Sequence, residues 1–150
     1  MKNMQSPSKP IVVVNADGLI LGRMASKIAK RLLTGEEIVI VNAEKAVISG
    51  RKGNKITEAK EFLAVGGVGQ GPLHQRRPDG VVRRTVRGML PFKQPKGKLA
   101  YKHLKVFIGV PEELKNSKME AVADAQSKKL KCSYFTVGEF SREIGWNEGE

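Results

Sequence analysis

IVVVNADGLILGRMASKIAKRLLTGEEIVIV, residues 11–41, contains two β-branched apolar runs separated by an amphipathic segment. Ile11–Val14 and Glu37–Val41 have the composition of strands that are buried on both faces. Between them, apolar residues recur at helical spacing from Leu21 onward, and Gly35 is placed to end that helix. A strand–helix–strand unit of about 30 residues is typical of a right-handed crossover between parallel strands, so this stretch predicts an α/β fold.

The next segments are polar and less regular. Ala46–Ile48 fits either a minor strand or the end of a helix, and Ser49–Asn54 has the composition of a basic loop. Ile56–Val65 has helical character, with polar positions followed by Phe62 and Leu63. A glycine cluster then predicts a flexible loop. Its members are Gly66, Gly67, Gly69 and Gly71, and Pro72 closes it.

Further elements are predicted towards the C-terminus. Val81–Leu90 forms a helix with Val82, Val86 and Leu90 on one face, and Pro91 ends it. Helix starts are also indicated by the position of Pro111 and by two Ser/Thr-x-x-Glu capping boxes. The remaining predictions are a basic helix at Lys96–Lys102, a strand at Leu104–Val110, and helix starts at the boxes Ser117–Glu120 and Thr136–Glu139.

Length and composition suit a folded protein. The chain has 150 residues, 40% hydrophobic and 28% charged, which predicts one domain over 1–150 with residues 1–10 as a flexible lead-in. Its aliphatic runs are shorter than a membrane span, and no signal peptide is recognisable, so we expect a cytoplasmic protein with no membrane partner. A single cysteine, Cys132, excludes an intrachain disulfide, and with only two histidines, His74 and His103, it argues against a tetrahedral zinc site. We expect no cofactor. We expect Cys132 to be buried as a small hydrophobic residue.

Positive charge is concentrated in residues 70–105. Ten lysines and arginines face one acidic residue there, Asp79, which accounts for +9 of the whole chain's +12. Such a density repels itself and needs either an anionic partner or solvent around it, and a polyphosphate backbone is the partner with matching geometry. The first half of the stretch prefers arginine, whose planar fork binds phosphate oxygens in pairs. We therefore expect nucleic-acid binding.

RNA is the favoured nucleic acid. The sequence has no helix-turn-helix spacing, zinc finger or basic zipper that would address a DNA groove. Only Phe92 and Tyr101 are aromatic within the basic stretch, which argues against a stacking platform for single strands. These features predict recognition of folded RNA by shape and phosphates. No homo-oligomer is required for that function.

Enzymatic alternatives depend on weaker patterns. The glycine cluster at Gly66–Gly71 resembles a dinucleotide loop but follows a helix, whereas that loop follows a strand. Gly18–Arg23 stands at a strand-to-helix turn that could present amides to a phosphate, without the lysine of a P-loop. His74 could act as a general base, although contact with phosphate fits its basic surroundings better. An RNA-modifying or nucleotide-dependent enzyme stays the alternative to a non-enzymatic RNA binder.

Several sequence blocks are distinctive in their order and spacing. They are Val13–Gly18 running into Leu21–Ala25, Ile40–Ala46, Val86–Pro91 and Leu104–Phe107. Together they resemble the universal ribosomal protein L13 family of the large subunit. The similarity covers about residues 11–110, and the Gly-Met-Leu-Pro block, Gly88–Pro91, at the end of a basic helix is its most specific part. Pro95–Lys98 and Phe140–Trp146 look most like the archaeal branch.

The resemblance implies a three-layer α/β/α domain with a small, largely parallel sheet. It implies a structural protein that binds large-subunit rRNA, neighbours other large-subunit proteins and takes part in early subunit assembly, with no catalytic turnover. Arg87 and the cations around it would meet rRNA, with Arg23, Arg51 and Lys52 as further contacts. The remaining predicted RNA-binding residues are His74, Arg76, Arg77, Arg83, Arg84, Lys93, Lys96, Lys98 and Lys102.

Overall fold

The computed structural model describes residues 9–69 and 71–149, so most of the predicted lead-in, residues 1–8, lies outside the described residues. A sheet of four parallel strands stands at the centre, in the order β4-β2-β1-β5. A separate antiparallel pair, β3 and β6, lies beside it. The strands are β1 (Ile11–Asn15), β2 (Glu37–Val41), β3 (Val47–Ser49), β4 (Leu104–Val106), β5 (Met119–Glu120) and β6 (Tyr134–Thr136).

In the described residues, 9–69 and 71–149, five α-helices accompany the strands. They are α1 (Leu21–Leu33), α2 (Lys52–Ala64), α3 (Pro78–Gly88), α4 (Pro95–Lys102) and α5 (Val137–Glu143). The predicted strand–helix–strand unit is confirmed, because β1 and β2 pair in parallel with Val13 opposite Val39. Gly35, at a φ of 92°, follows the end of α1 as expected, and its N–H donates to the Leu32 carbonyl at 3.0 Å. The predicted α/β class with a mostly parallel sheet is confirmed.

The main core lies on one face of the sheet. Val14 and Ile40 point into it from β1 and β2, and they join Ile28 of α1 and Val82 of α3. The opposite face of the sheet carries a smaller apolar cluster. Val13, Val39 and Val41 pack there against the chain that leads from β4 to β5, with Val110, Leu114 and Met119 in contact. Helices α1, α3 and α4 therefore share one well-buried layer, which fixes the position of the basic segment.

Strand β4 is shorter than predicted. It ends at Val106, because its partner β2 ends at Val41 and the next residue, Asn42, takes a left-handed conformation with φ 56°. The chain then turns at Gly109, whose N–H donates to the Glu44 carboxylate at 3.0 Å. Its carbonyl accepts from the Asn42 N–H at 3.0 Å. The hydrogen bonding expected of a longer strand is thus replaced by a turn around Asn42 and Glu44.

The two capping boxes have different outcomes. Thr136 is the N-cap of α5, and its Oγ1 accepts from the Glu139 N–H at 3.2 Å, which confirms that prediction. The box at Ser117 does not start a helix: Met119 and Glu120 form β5 and pair with Val13 and Val14. The pairing of Met119 and Glu120 with the buried strand β1 outweighs the local preference of Ser117 to cap a helix. No amphipathic run follows Ser117 that would support such a helix. Pro111 likewise precedes only one 3-10 turn, Glu112–Leu114.

Arg31 ties β5 to the end of α1. Its guanidinium donates to Glu36 at 2.8 Å and to Glu120 at 3.1 Å. The hydrogen bond to Glu36 raises the pKa of Arg31 above its ordinary value, against the opposing effect of burial, and Glu120 adds to the increase. Arg31 is fully charged at any pH well below this pKa. Its contacts with Glu36 and Glu120 therefore hold β5, the short edge strand, with no change in the charge of Arg31 near neutral pH.

Three further expectations are corrected or decided. The open choice at Ala46–Ile48 is decided for a strand, β3. The predicted basic loop 49–54 is wrong in its second half, because α2 begins at Lys52 with Arg51 as its N-cap. Cys132 is exposed, not buried, because it lies in the irregular segment before β6 and faces no core. No helix in residues 9–69 or 71–149 is long and apolar enough to cross a membrane.

Candidate nucleic-acid interface

Helix α3 directs its arginines to the surface. Val82 and Val86, four residues apart, are fully buried and fix which side of the helix faces the core. Pro78 starts α3 at a position where no N–H is needed. The helix begins three residues before the predicted Val81 and ends at Gly88, although Leu90 beyond it is still buried. Arg83 and Arg84 are consequently exposed, as the sequence predicts.

Helix α4 packs closely against the turn that follows α3. Gly97 is buried, and a Cβ at this position would meet the Pro91 carbonyl and lie 3.0 Å from the Phe92 nitrogen. The turn is closed by the Gln94 N–H, which donates to the Pro91 carbonyl at 2.9 Å. The Gly-Met-Leu-Pro block, Gly88–Pro91, and Gly97 of α4 therefore together allow the two basic helices, α3 and α4, to pack closely.

Two aromatic rings lie beneath two of the arginines. The Arg83 guanidinium carbon is 4.5 Å from the Tyr101 ring centre, and that of Arg87 is 4.1 Å from the Phe92 ring centre. The rings meet edge to face, with centres 5.5 Å apart. Cation–π contact orients a guanidinium without neutralising it. In the sequence, both aromatics counted only as too few for base stacking. This role was missed because Tyr101 lies on α4 and Phe92 in the turn before it, whereas their arginines lie on α3.

We define the basic face as the cationic side chains of α3, the turn and α4. Arg87 is half-buried over Phe92, and the others are exposed. Within residues 71–105 the structure contains a single ion pair, Arg77 to Asp79 at 3.4 Å. The members of the basic face are thus available for an external anion. They are Arg83, Arg84, Arg87, Lys93, Lys96, Lys98 and Lys102.

Cations elsewhere are more often paired. Lys27 lies 3.4 Å from Asp124, and Lys55 lies 3.7 Å from Glu58. Lys52, a predicted RNA contact, pairs with Glu139 of α5 at 3.7 Å. Its place in a helix and its carboxylate partner make it a weaker candidate than the basic face. Among the described residues, therefore, no cation of the basic face takes part in an ion pair, whereas several cations elsewhere do.

The other predicted contacts are distributed around this face. Arg76 and Arg77 are exposed just before α3, where the Arg76 side chain lies against Gly145 beyond α5. His74 is half-buried, and its ring centre is 4.4 Å from that of Phe62. Arg23 is exposed in the first turn of α1, and Arg51 is exposed at the N-cap of α2. Neither Arg23 nor Arg51 lines the cleft described next.

A cleft of about 900 Å³ opens beside the basic face. Helix α2 contributes Phe62 and Leu63, and the segment before α3 contributes Leu73 and His74. Helix α3 lines it with its arginines, including Arg84. Apolar and cationic surfaces thus meet in one concavity, an arrangement that the linear sequence does not reveal.

The turn at Gly18–Arg23 is occupied by protein contacts. Gly18 N–H donates to the Lys45 carbonyl at 3.3 Å, and Ile20 N–H donates to the Ala125 carbonyl at 2.6 Å. Leu19 N–H is bonded to the Ala16 carbonyl at 3.1 Å. A phosphate cradle needs amides that are free to donate, so Gly18, Leu19 and Ile20 cannot contribute theirs to one.

The glycine cluster does not form a dinucleotide loop. It follows α2, and Gly66, Gly69 and Gly71 all take positive φ values in an extended connection to α3. Gln70 is outside the described residues. In the part of the chain that the structure covers, no group of three or more histidine, cysteine or acidic residues is placed to hold a metal ion.

Comparison with known proteins gives a consistent result. Residues 9–113 match the family model described as ribosomal protein L13. The large ribosomal subunit protein uL13 of Methanosarcina barkeri is 48% identical over 137 residues, covering 90% of this chain and 98% of that protein. Its counterpart in Archaeoglobus fulgidus is 49% identical over 136 residues, covering 89% and 87%. That of Sulfurisphaera tokodaii is 46% identical over 143 residues, covering 92% and 97%.

Proposed function

This chain belongs to the ribosomal protein L13 family, of the archaeal type, and from that membership we propose that it is a structural constituent of the large ribosomal subunit. In this proposal the protein binds folded large-subunit rRNA through the basic face and supports early subunit assembly. It acts by binding, with no catalysed reaction. The rRNA and neighbouring large-subunit proteins are its partners, and no homo-oligomer is needed.

The observation that carries this proposal is that exposed cations without an ion-pair partner lie on helices whose other faces are buried in the core. The exposed Lys96 and Lys98 of α4 stand beside Gly97 and Ala100, both of which are buried. Arg84 is exposed on α3 between the buried Val82 and Val86. Because the helices are held by the core, the cations present a preformed surface, which lowers the ordering cost of binding.

The proposed mechanism is electrostatic. Each phosphate that pairs with a lysine or arginine releases condensed counterions, so affinity falls as salt concentration rises. Neutralising phosphates also allows separate RNA segments to approach one another, which is the contribution we assign to assembly. Arginine forks on α3 bind phosphate oxygens in pairs, and the lysines of α4 act as point charges. Arg23, Arg51, Lys52, His74, Arg76 and Arg77 are proposed as flanking contacts.

A charge-reversal experiment tests the basic face. We expect Arg84→Glu with Lys98→Glu to weaken binding to large-subunit rRNA by about tenfold or more at 0.1 M salt. The slope of log affinity against log salt should flatten by about 0.7–0.9 for each phosphate contact that is lost. Both side chains are exposed, so circular dichroism and thermal unfolding should be unchanged.

The matched control is Lys128→Glu with Lys129→Glu, which makes the same change in net charge at exposed sites between β5 and β6. If the basic face is the binding surface, this control should retain most of the affinity and slope. Equal losses in the two double variants would show that only total charge matters.

In cells, the tagged protein should sediment with large subunits and leave that fraction after RNase treatment.

A further inference from the structure

The cleft beside the basic face has two chemically different sides. Part of its apolar lining comes from α2 and from the segment before α3, where Phe62 and Leu73 are the most exposed members. Further apolar lining comes from α3, α4, β4 and α5. The cationic lining consists of Arg83, Arg84 and Arg87 of α3 and of Arg77, which is paired with Asp79. The volume, about 900 Å³, is within the range of roughly 300–1,000 Å³ that is typical of small-ligand sites.

The apolar side is unusually open to solvent. Phe62 is 61% exposed and Leu73 is 96% exposed, and the centre of the Phe62 ring lies 4.4 Å from that of the His74 ring. Large apolar side chains concentrated at one exposed place mark a surface that another molecule covers. No lysine or arginine occurs between Lys60 and Arg76, so phosphates alone have no reason to lie on this side.

One chemical group satisfies both sides. A nucleotide carries both an apolar, stackable base and an anionic phosphate. A regular RNA duplex keeps its bases stacked inside and would leave Phe62 and Leu73 in water. An apolar protein segment would cover those two side chains and leave the guanidinium groups of α3 without an anion.

We infer that the cleft receives an unpaired nucleotide of the bound rRNA, whose base covers Phe62 and Leu73 while Arg83 and Arg84 bind the adjoining phosphates. This inference rests on the proposed rRNA-binding function and adds a base contact to it. It also revises the expectation that the chain has no stacking site, because Phe62 and His74 reach the cleft from outside the part of the basic stretch that contains Phe92 and Tyr101.

Truncation of Phe62 separates stacking from charge. We expect Phe62→Ala to weaken binding to in vitro transcribed large-subunit rRNA about tenfold, which is in the lower half of the range for loss of one stacked base. The salt slope should stay the same, because no phosphate contact is removed. Phe62→Trp, which keeps a stacking face, should retain the affinity.

Val65→Ala is the matched control. Val65 is exposed at the C-terminal end of the same helix, yet it does not line the cleft, so this variant should bind like the original chain. The inference is overturned if Phe62→Ala binds normally, if Val65→Ala loses as much affinity, or if the salt slope changes with Phe62→Ala. Failure of the unaltered chain to bind rRNA would instead overturn the proposed function.

Photocrosslinking identifies the occupant directly. A photoreactive phenylalanine analogue in place of Leu73 should crosslink, in purified large subunits, to an rRNA nucleotide that dimethyl sulfate or acylating reagents modify in free rRNA. A crosslink to another protein, to a base-paired nucleotide or to nothing would overturn the inference. Incorporation of the altered chain into subunits is checked by sedimentation, which tests the proposed function separately.

Discussion

Gly97 decides how closely the two basic helices approach. A Cβ at this residue would meet main-chain atoms of Pro91 and Phe92, which cannot move aside as the end of a flexible side chain can. Glycine is therefore required here by close approach, not by a positive φ. The same contact fixes Lys96 and Lys98, which flank Gly97, relative to the arginines of α3.

Gly97→Ala should destabilise the protein by about 2 kcal/mol, within the range for overpacking a tight site. For a chain of this size that corresponds to a fall in Tm of roughly 5 °C, measurable by calorimetry. Gly53→Ala is the control, since Gly53 is also helical and has open space around its Cβ position. That change should be neutral or stabilise by up to about 1 kcal/mol. Equal Tm values for the two variants would contradict this account.

The aromatic rings under Arg83 and Arg87 have a separate prediction. Tyr101→Leu keeps apolar bulk but removes the π face that orients Arg83, so rRNA affinity should fall about two- to fivefold. Tyr101→Phe retains the ring and should bind normally. Relaxation of the Arg83 Nε nucleus by NMR should show greater mobility in Tyr101→Leu alone. Unchanged Arg83 dynamics in that variant would mean that the ring has only a packing role.

At the scale of elements, identical local signals lead to different structures. Ser117–Glu120 and Thr136–Glu139 share one capping pattern, yet only the second begins a helix. The residues after Thr136 present Val137 and Ser141 to the core four residues apart, whereas Met119 and Glu120 extend the sheet beside β1. A cap stabilises a helix that packing supports and does not create one by itself.

This difference can be measured by removing the two hydroxyls. Thr136→Val should cost about 1 kcal/mol, because the Glu139 N–H loses its acceptor at 3.2 Å. Ser117→Ala should change the free energy of unfolding by less than about 0.5 kcal/mol, since the residue is exposed and caps no helix. Urea denaturation of both variants provides the measurement. A larger loss for Ser117→Ala than for Thr136→Val would reverse the assignment.

At the scale of the whole molecule, burial is unevenly distributed. Helix α1 buries six residues under the sheet, whereas α2, of equal length, buries only Ile56. The glycine-rich connection after α2 is exposed throughout the described residues from 66 to 69. Local stability follows buried contacts, so α2 and this connection should open more readily than the body formed by the sheet, α1 and α3.

Hydrogen exchange tests that division. In the free protein, amides of α1 should exchange on the timescale of global unfolding, and amides of α2 should exchange faster by several orders of magnitude. Adding large-subunit rRNA should slow exchange in α2 and in residues 66–75, with little change in α1. Equal protection of α1 and α2 before RNA is added would show that α2 belongs to the stable body.

The short-range parts of the structure follow from the sequence. Residues 11–41 contain β-branched runs, which fit strands, and apolar residues at helical spacing, which fit a helix. The density of arginine and lysine in 70–105 with only Asp79 to balance it identifies an anion-binding segment, because no folding can hide that much charge. The sequence resemblance to the ribosomal protein family is likewise confirmed by the comparisons.

Only the tertiary structure decides what depends on distant residues. Whether Met119 joins a strand, whether Tyr101 reaches Arg83 and whether Phe62 faces the arginines are all settled by contacts across 18 or more positions of the chain. Local propensities are worth tenths of a kcal/mol to about one, and burial against a partner element outweighs them. The sequence alone determined the strand–helix–strand unit of residues 11–41 and the charge of residues 70–105. Packing decided the remaining element boundaries, which cations have no carboxylate partner, and which side chains lie beside them.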